Sequence, residues 1–497
     1  VNDLAYFSVL EEPWIPVIDL NGKRKEFGIL DTLAQAHQIR EIADTIPSYE
    51  YGVFRFLCTF LMDAYRPKDW GALQDLYELK NFDMGEIQNY IEQCKKEGVS
   101  FDLFDKKRPF LQTAYNAKYD KSPVSIAALN ISMPSGNNHI HFEHRKEQEQ
   151  SMTYAEAARG LCALNLFCTA GVQGYPSTVN GAPPIYFVYD GSNLFESLIY
   201  SMIAVKEGGE TSYDFPPVFW RNQSEVIPKQ TEASTSILYG MLYPCRRVLL
   251  NPEENGTIKN IYLCQGKNYV AYDSWRDPHV SYLFSDKGRS SLKPTIEKEP
   301  WRNIITILSD SRKDRTAPIF VHRILREKLV DEVSVTAYSV VTNQANYLDM
   351  QKSHLKMPCS IATNETKRDR VQDIIQAIEE MSDALGKSIN GCFLATQQKK
   401  SNKLIHRSVS EIQSKFLQQC RDYILQDVFY EFAAIPENKA TAYTDKYLEK
   451  LGKKCISLFD ETTNIFFSSS WELKEQQRMR NWLNSQIFKA RGEEKKK

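Results

Sequence analysis

None of the ten cysteines stands in a CxxC pair, and their spacing forms no regular framework. That argues for the reduced thiols of a cytosolic protein and against a disulfide scaffold. No run of about 18 apolar residues is present, as a membrane-spanning helix would need. Residues 1–30 carry Asp, Glu, Lys and Arg throughout, so neither a membrane span nor an export signal is expected. Charge of one sign is also missing: the formal net charge is −1. No global positive field draws the chain onto nucleic acid, so any such contact must come from local patches or from partners that supply the charge. The GxxxxGK[ST] phosphate loop is absent, and so is any paired-carboxylate or HxxE cluster with metal spacing. What remains is an ordinary globular composition, 42% hydrophobic and 25% charged. The 497 residues suffice for roughly two to four domains with cores of their own.

In chain order, residues 6–10 read as strand-like, and Pro13 and Pro16 around Trp14-Ile15 fix an extended segment. Asn21-Gly22 reads as a hairpin turn. Val53, Phe54, Leu57, Phe60 and Leu61 predict an amphipathic helix after Ser48. Short helices are expected over 70–79 and 84–95, and an extended stretch over 108–113. Alanine-rich residues 154–167 predict a closely packed helix, followed by a strand at 185–188 and a helix capped by Asn193. Residues 216–341 are β-leaning; Arg246 and Arg247, side by side, put one arginine on each face of a strand. From 364 to 491, single apolar stripes on four helices predict a bundle. The expected class is therefore α+β: a large mixed N-terminal domain over 1–360, then a four-helix bundle over 361–497.

Four stretches stand out as candidates for function. Residues 333–341 read as a buried strand that runs into Asn343-Gln344-Ala345-Asn346, uncharged amides suited to an exposed turn or to a tip inserted somewhere narrow. Residues 131–152 form a polar loop too long for a mere connector, with Ser135, Gly136, Asn137, Asn138 and His139 at its centre. His139, His141 and His144 invite a metal assignment, but no cysteine or acidic cluster nearby completes a ligand set. Gly171, Gly174 and Gly181, with Tyr175 and three prolines, make a loop whose backbone can approach a partner closely. A basic tip at 397–407 contains Lys399, Lys400, Lys403 and Arg407. Cys245 and Cys264 read as buried thiols.

Taken in order, Pro13-Trp-Ile-Pro-Val17, Pro109-Phe-Leu-Gln112, Pro134-Ser-Gly-Asn-Asn138, the 171–184 loop, Trp275-x-x-Pro-His279 and Asn343-Gln344-Ala345 before a terminal bundle resemble the CasA family. These are the large subunits of type I-E CRISPR surveillance complexes (Cascade), and the resemblance runs over essentially the whole chain. It implies a non-catalytic subunit without cofactor or metal that recognises the PAM in double-stranded DNA, helps open the duplex and recruits a helicase-nuclease. It further implies a glutamine wedge at Gln344 flanked by Asn343 and Ala345, a glycine loop at Gly174-Tyr175, and a lysine finger at Lys267. The 131–150 loop would lie near the guide RNA, and the bundle near the small-subunit dimer and the displaced strand, with the 397–407 cations as candidates. The expected partners are guide RNA, target duplex, the backbone subunits, the small-subunit dimer and the helicase-nuclease. Two other readings stay open: a metal-dependent nuclease or hydrolase centred on the histidines, and a purely scaffolding subunit.

Overall fold

The computed structural model describes residues 5–131, 150–169, 175–295, 298–309, 313–343, 346–395, 402–464 and 469–492. The chain is a mixed α and β protein whose C-terminal part is helical, as the sequence predicts. It divides into two compact units: Val1–Pro300 with Ser311–Arg326 and Ser334–Leu355, and Trp301–Asp310 with Glu327–Val333 and Lys356–Lys497.

The first unit is built around the helix Pro47–Tyr65, in which the sixteen consecutive residues from Ser48 to Asp63 are all buried. The expected amphipathic stripe is therefore a helix covered on every side. Such burial is tolerable only if its polar residues find partners. They do: Glu50 meets Lys352 at 2.7 Å, Arg55 pairs with Asp277, and Asp63 takes Arg66 and Arg221. Gly52 lets the helix Tyr154–Phe167 approach, since a Cβ there would lie 2.7 Å from the backbone nitrogen of Ala163. The alanines that predicted close packing are thus explained by what crosses them. Trp14, Phe110 and Trp220 complete this core with edge-on ring contacts to Phe110 or Phe56.

Two stretches differ from their expected conformation. Residues 6–10 make only an isolated bridge, Ser8 to Asp102, and then turn. Leu111 has φ of 49°, so 108–113 is a turn rather than extended chain. The Asn21-Gly22 hairpin is present, joining Ile15–Asp19 to Arg24–Phe27, with Gly22 at φ of 80°.

Two sheets position the candidate loops. In the first, the strand Thr257–Gln265 runs beside Arg246–Pro252 and also pairs with Pro123–Ser125 and Met152–Thr153. In the second, Glu332–Asn343 pairs with Tyr186–Tyr189 on one side and with Asn346–Pro358 on the other. No sequence pattern predicts a strand at 346–358. Its presence leaves Gln344 and Ala345, outside the described residues, as the whole connection between strands of 12 and 13 residues.

In the second unit, the helices Glu365–Ala395, Asn402–Tyr423, Ala440–Thr463 and Ser470–Ala490 correspond to the four expected apolar stripes. Ile374, Ile378, Met381, Leu385, Phe416, Cys420, Leu451, Cys455 and Leu483 are buried among them.

Candidate nucleic-acid interface

The strand Thr257–Gln265 gathers most of the nominated elements. Pro123–Ser125 pairs with its Asn260–Tyr262 portion and Met152–Thr153 with Thr257 and Ile258. The chain therefore leaves for the long polar loop and returns from it beside one strand. Ser135, Gly136, Asn137, Asn138 and His139, with His141 and His144, lie outside the described residues. Tyr175 donates through its phenol to the carbonyl of Leu263 at 3.4 Å, so the end of the glycine loop rests on the same strand. Gly174 lies outside the described residues. Two residues past the strand comes Lys267. Gly266 is required before it, because a Cβ there would sit 2.3 Å from the carbonyl oxygen of Pro244.

Arg246, opposite Gln265 in the ladder, fastens the glycine loop at both ends. Its guanidinium donates to the carbonyls of Thr169 at 2.9 Å, Pro176 at 2.6 Å and Cys245 at 2.9 Å, and lies over the Tyr175 ring. Arg247 faces the other way, to Asp120 at 3.1 Å and the carbonyls of Ala114 and Val226. Alternation placed these arginines on opposite faces, but both are buried braces rather than surface cations. Beside this clamp, Cys168 and Cys245 bring their sulfurs to 3.1 Å. The hydrogen bond from Cys245 draws the Cys168 thiol down, and burial pushes Cys245 up. The sequence groups Cys245 with Cys264, but across the ladder Cys264 stands opposite Arg247.

Lys267 is not presented to solvent. It is 4% exposed, its ammonium lies 2.7 Å from the Glu232 carboxylate, and the Tyr243 phenol donates to the same carboxylate. The lysine that does reach solvent at this turn is Lys229, which no sequence feature singles out. Its backbone nitrogen donates to the Gly266 carbonyl at 2.8 Å, and its φ of 63° turns the side chain outward as an exposed residue.

The glycine loop's far end is fixed by a buried polar node. Asn180 donates to Asp277 at 2.8 Å, and Arg55 grips the same carboxylate through both terminal nitrogens at 2.9 and 2.8 Å. Burial opposes the charge on Asp277, but Arg55 prevails and holds the carboxyl below its ordinary range. His279 receives the Tyr51 phenol at Nδ1 and donates from Nε2 to the Ser201 carbonyl. Burial, aided by the Arg55 charge, pushes it down to about 4, so it stays neutral. Trp275 packs so tightly on Gly240 that a Cβ there would overlap its indole at 2.3 Å. The Trp275-x-x-Pro-His279 motif is thus the anchor of the loop, a role no local pattern shows.

The amide hairpin stands on the other sheet. Its base is buried through Val335, Ala337, Val340 and Val341, and the backbones of Asn343 and Asn346 end the two strands. Lys403 and Arg407 fall on the helix Asn402–Tyr423, whereas Lys399 and Lys400 lie outside the described residues. Among the described residues no group of three or more His, Cys, Asp or Glu is placed to hold a metal ion. No described helix is long and apolar enough to cross a membrane.

The family described as CRISPR-associated protein Cse1 matches residues 9–455, nearly the full chain. This chain belongs to the Cse1 family. The CasA/Cse1 protein of Thermus thermophilus is 25% identical over 400 residues, 78% of this chain and 77% of that one. The Cse1 crystal structure from Thermobifida fusca superposes with a TM-score of 0.78 at 17% identity, covering 98% of each chain. A chain of a structure described as a CRISPR RNA-guided surveillance complex gives 0.72 at 18% identity, covering 96% of this Cse1 chain and 99% of that one.

Proposed function

We propose that this Cse1 chain is the large, non-catalytic subunit of a type I-E Cascade. It reads the PAM in double-stranded target DNA, lowers the cost of opening the duplex beside it, and helps recruit the helicase-nuclease. The fold it shares with a chain of an RNA-guided surveillance complex supports the setting. The observation that carries the reading is the convergence on one strand: both ends of the 132–149 segment, the Tyr175 end of the glycine loop and the Gly266-Lys267 turn all root on Thr257–Gln265. A rigid strand that bears several loops suits recognition of a short duplex segment, because it fixes the spacing between them.

In this reading Gln344, with Asn343 and Ala345, is the wedge. An uncharged amide tip inserts at low desolvation cost, and its firmly packed hairpin base resists the push of the stacked duplex. Unstacking costs a few kcal/mol per step, offset by protein–DNA contacts. Gly174 and Tyr175 approach the groove, and the 135–139 stretch approaches the guide RNA. Lys267 and Lys229 supply the cationic contact, the first only after leaving Glu232. The backbone subunits, small-subunit dimer and guide RNA carry most of the remaining charge contact, which suits a chain of net charge −1. The test is reconstitution of the guide RNA complex with and without this chain. Binding to single-stranded target should survive its omission while binding to duplex target is lost; equal duplex binding in both preparations overturns the reading.

A further inference from the structure

The last helix, Ser470–Ala490, buries one face: Gln476, Leu483 and Ile487 point inward. Met479 and Ile487 press so close to Gly391 and Gly452 that an added Cβ would meet them at 2.6 and 2.7 Å. Successive helical residues turn by about 100°, so positions spaced by three, four, four and seven fall in one line. Trp471, Lys474, Arg478, Trp482 and Lys489 have that spacing, and all are exposed. The indoles are 51% and 37% exposed. Arg478 gives its Nε to Glu475 at 2.7 Å and keeps the rest of its guanidinium in solvent at 65% exposure. Leu473 and Phe488, also exposed, fall on the flank of the helix rather than in this line.

A protein-docking face joins its apolar side chains into a patch with charge at the rim. Here the cations stand between and beyond the indoles. We propose that this stripe binds single-stranded nucleic acid. Bases stack on Trp471 and Trp482 while phosphates meet Lys474, Arg478 and Lys489. The indoles lie about 16 Å apart along the helix axis, so one strand can engage both with the cations beneath the intervening backbone. Bases in a duplex are stacked on each other and offer no free face, which makes the stripe selective for single strands. The inference goes beyond the duplex-opening function, since it uses neither the hairpin nor the PAM-side turn.

The experiment is fluorescence anisotropy of a labelled oligothymidylate titrated with the full chain, with its blunt duplex as comparison. The single strand should bind more tightly than the duplex. Trp471→Ala with Trp482→Ala should weaken it by about 5-fold or more, while the two Phe substitutions retain most of the affinity. Lys474→Ala, Arg478→Ala and Lys489→Ala together should lower the slope of log affinity against log salt by about 2. Thermal unfolding should not change, because none of these side chains is buried. Absence of oligonucleotide binding, or unchanged affinity in the Trp→Ala variant, overturns the proposal. So does a Trp→Ala variant that binds the oligonucleotide normally but no longer joins the other subunits, for the stripe is then a protein contact. Either failure leaves the duplex-opening reading standing, because single-strand affinity of the isolated chain does not enter that test.

Discussion

Arg246 donates to the carbonyl of Pro176 at 2.6 Å, from a strand far away in sequence. The same guanidinium reaches Thr169 at the other end of the glycine loop. One buried side chain thus closes the loop's base, so the loop tip is presented on a fixed footing. A lysine has a single ammonium in place of the planar fork and cannot keep this set of contacts. Arg246→Lys should leave buried carbonyls unsatisfied, at a cost of about 1–3 kcal/mol for each. The expected result is a lower midpoint in thermal unfolding and faster proteolytic cutting between residues 169 and 176, with the C-terminal helices unaffected. A variant as stable and as protease-resistant as the parent would show that the loop is held by other means.

The Lys267–Glu232 pair separates two roles that a single substitution would confuse. Lys267→Ala leaves the Glu232 carboxylate with one phenol donor, so it should lower stability as well as weaken duplex binding by the assembled complex. Lys267→Met combined with Glu232→Gln removes both charges and should recover stability. If Lys267 leaves its partner to meet DNA, duplex affinity stays low in the double variant and its salt dependence is flatter. Recovery of both stability and affinity would make Lys267 a structural residue only. Lys229→Ala, at an exposed position on the same turn, should weaken duplex binding without moving the unfolding midpoint.

Periodicity made the bundle helices and the strand at 333–341 legible, because their burial is one-sided or nearly continuous and leaves a repeating pattern. The helix Pro47–Tyr65 misled in one respect: an apolar stripe was visible, but the burial of Glu50, Arg55 and Asp63 depends on distant partners. The strand Asn346–Pro358 was missed because its residues are mostly polar and its pairing, not its composition, makes it a strand. For the site, the loops were recognisable by composition. Their common root on Thr257–Gln265 was not, since strand pairing across more than a hundred residues leaves no local mark. Lys267 could be placed beside a glycine that packs tightly, yet burial against Glu232 came from residues 35 positions away.

Buried His279 gives the fold a defined acid sensitivity. Its folded pKa, about 4, lies below the ordinary 6.5, so the unfolded chain binds more protons between those values. Stability is therefore complete above pH 6.5 and falls as pH drops toward 4, by a few kcal/mol from this group. His279→Gln keeps an amide able to serve the Tyr51 and Ser201 partners but cannot titrate. Denaturant unfolding of both proteins across pH 4–7 should show a steeper loss for the parent. Parallel curves would mean that His279 takes up its proton without disturbing the Arg55–Asp277 node.

The amide hairpin makes the sharpest claim. Its strands are anchored through Val335, Val340 and Val341, so substitutions at the tip should not disturb the fold that carries it. With Gln344→Ala, or with glycine at both Asn343 and Gln344, the surveillance complex should assemble normally and pair with single-stranded target as the parent does. Binding to duplex target should weaken. A bubble opened beside the PAM should then restore much of the loss, because the unstacking has been done beforehand. Strand exchange itself runs near energy balance, as argued for another RNA-guided effector, so the first opened pairs govern where it starts. A contact residue behaves differently: its removal costs the same on closed and opened DNA. The two affinities, duplex and bubble, measured for each tip variant therefore decide the matter, and equal losses on both would make Gln344 a contact and not a wedge.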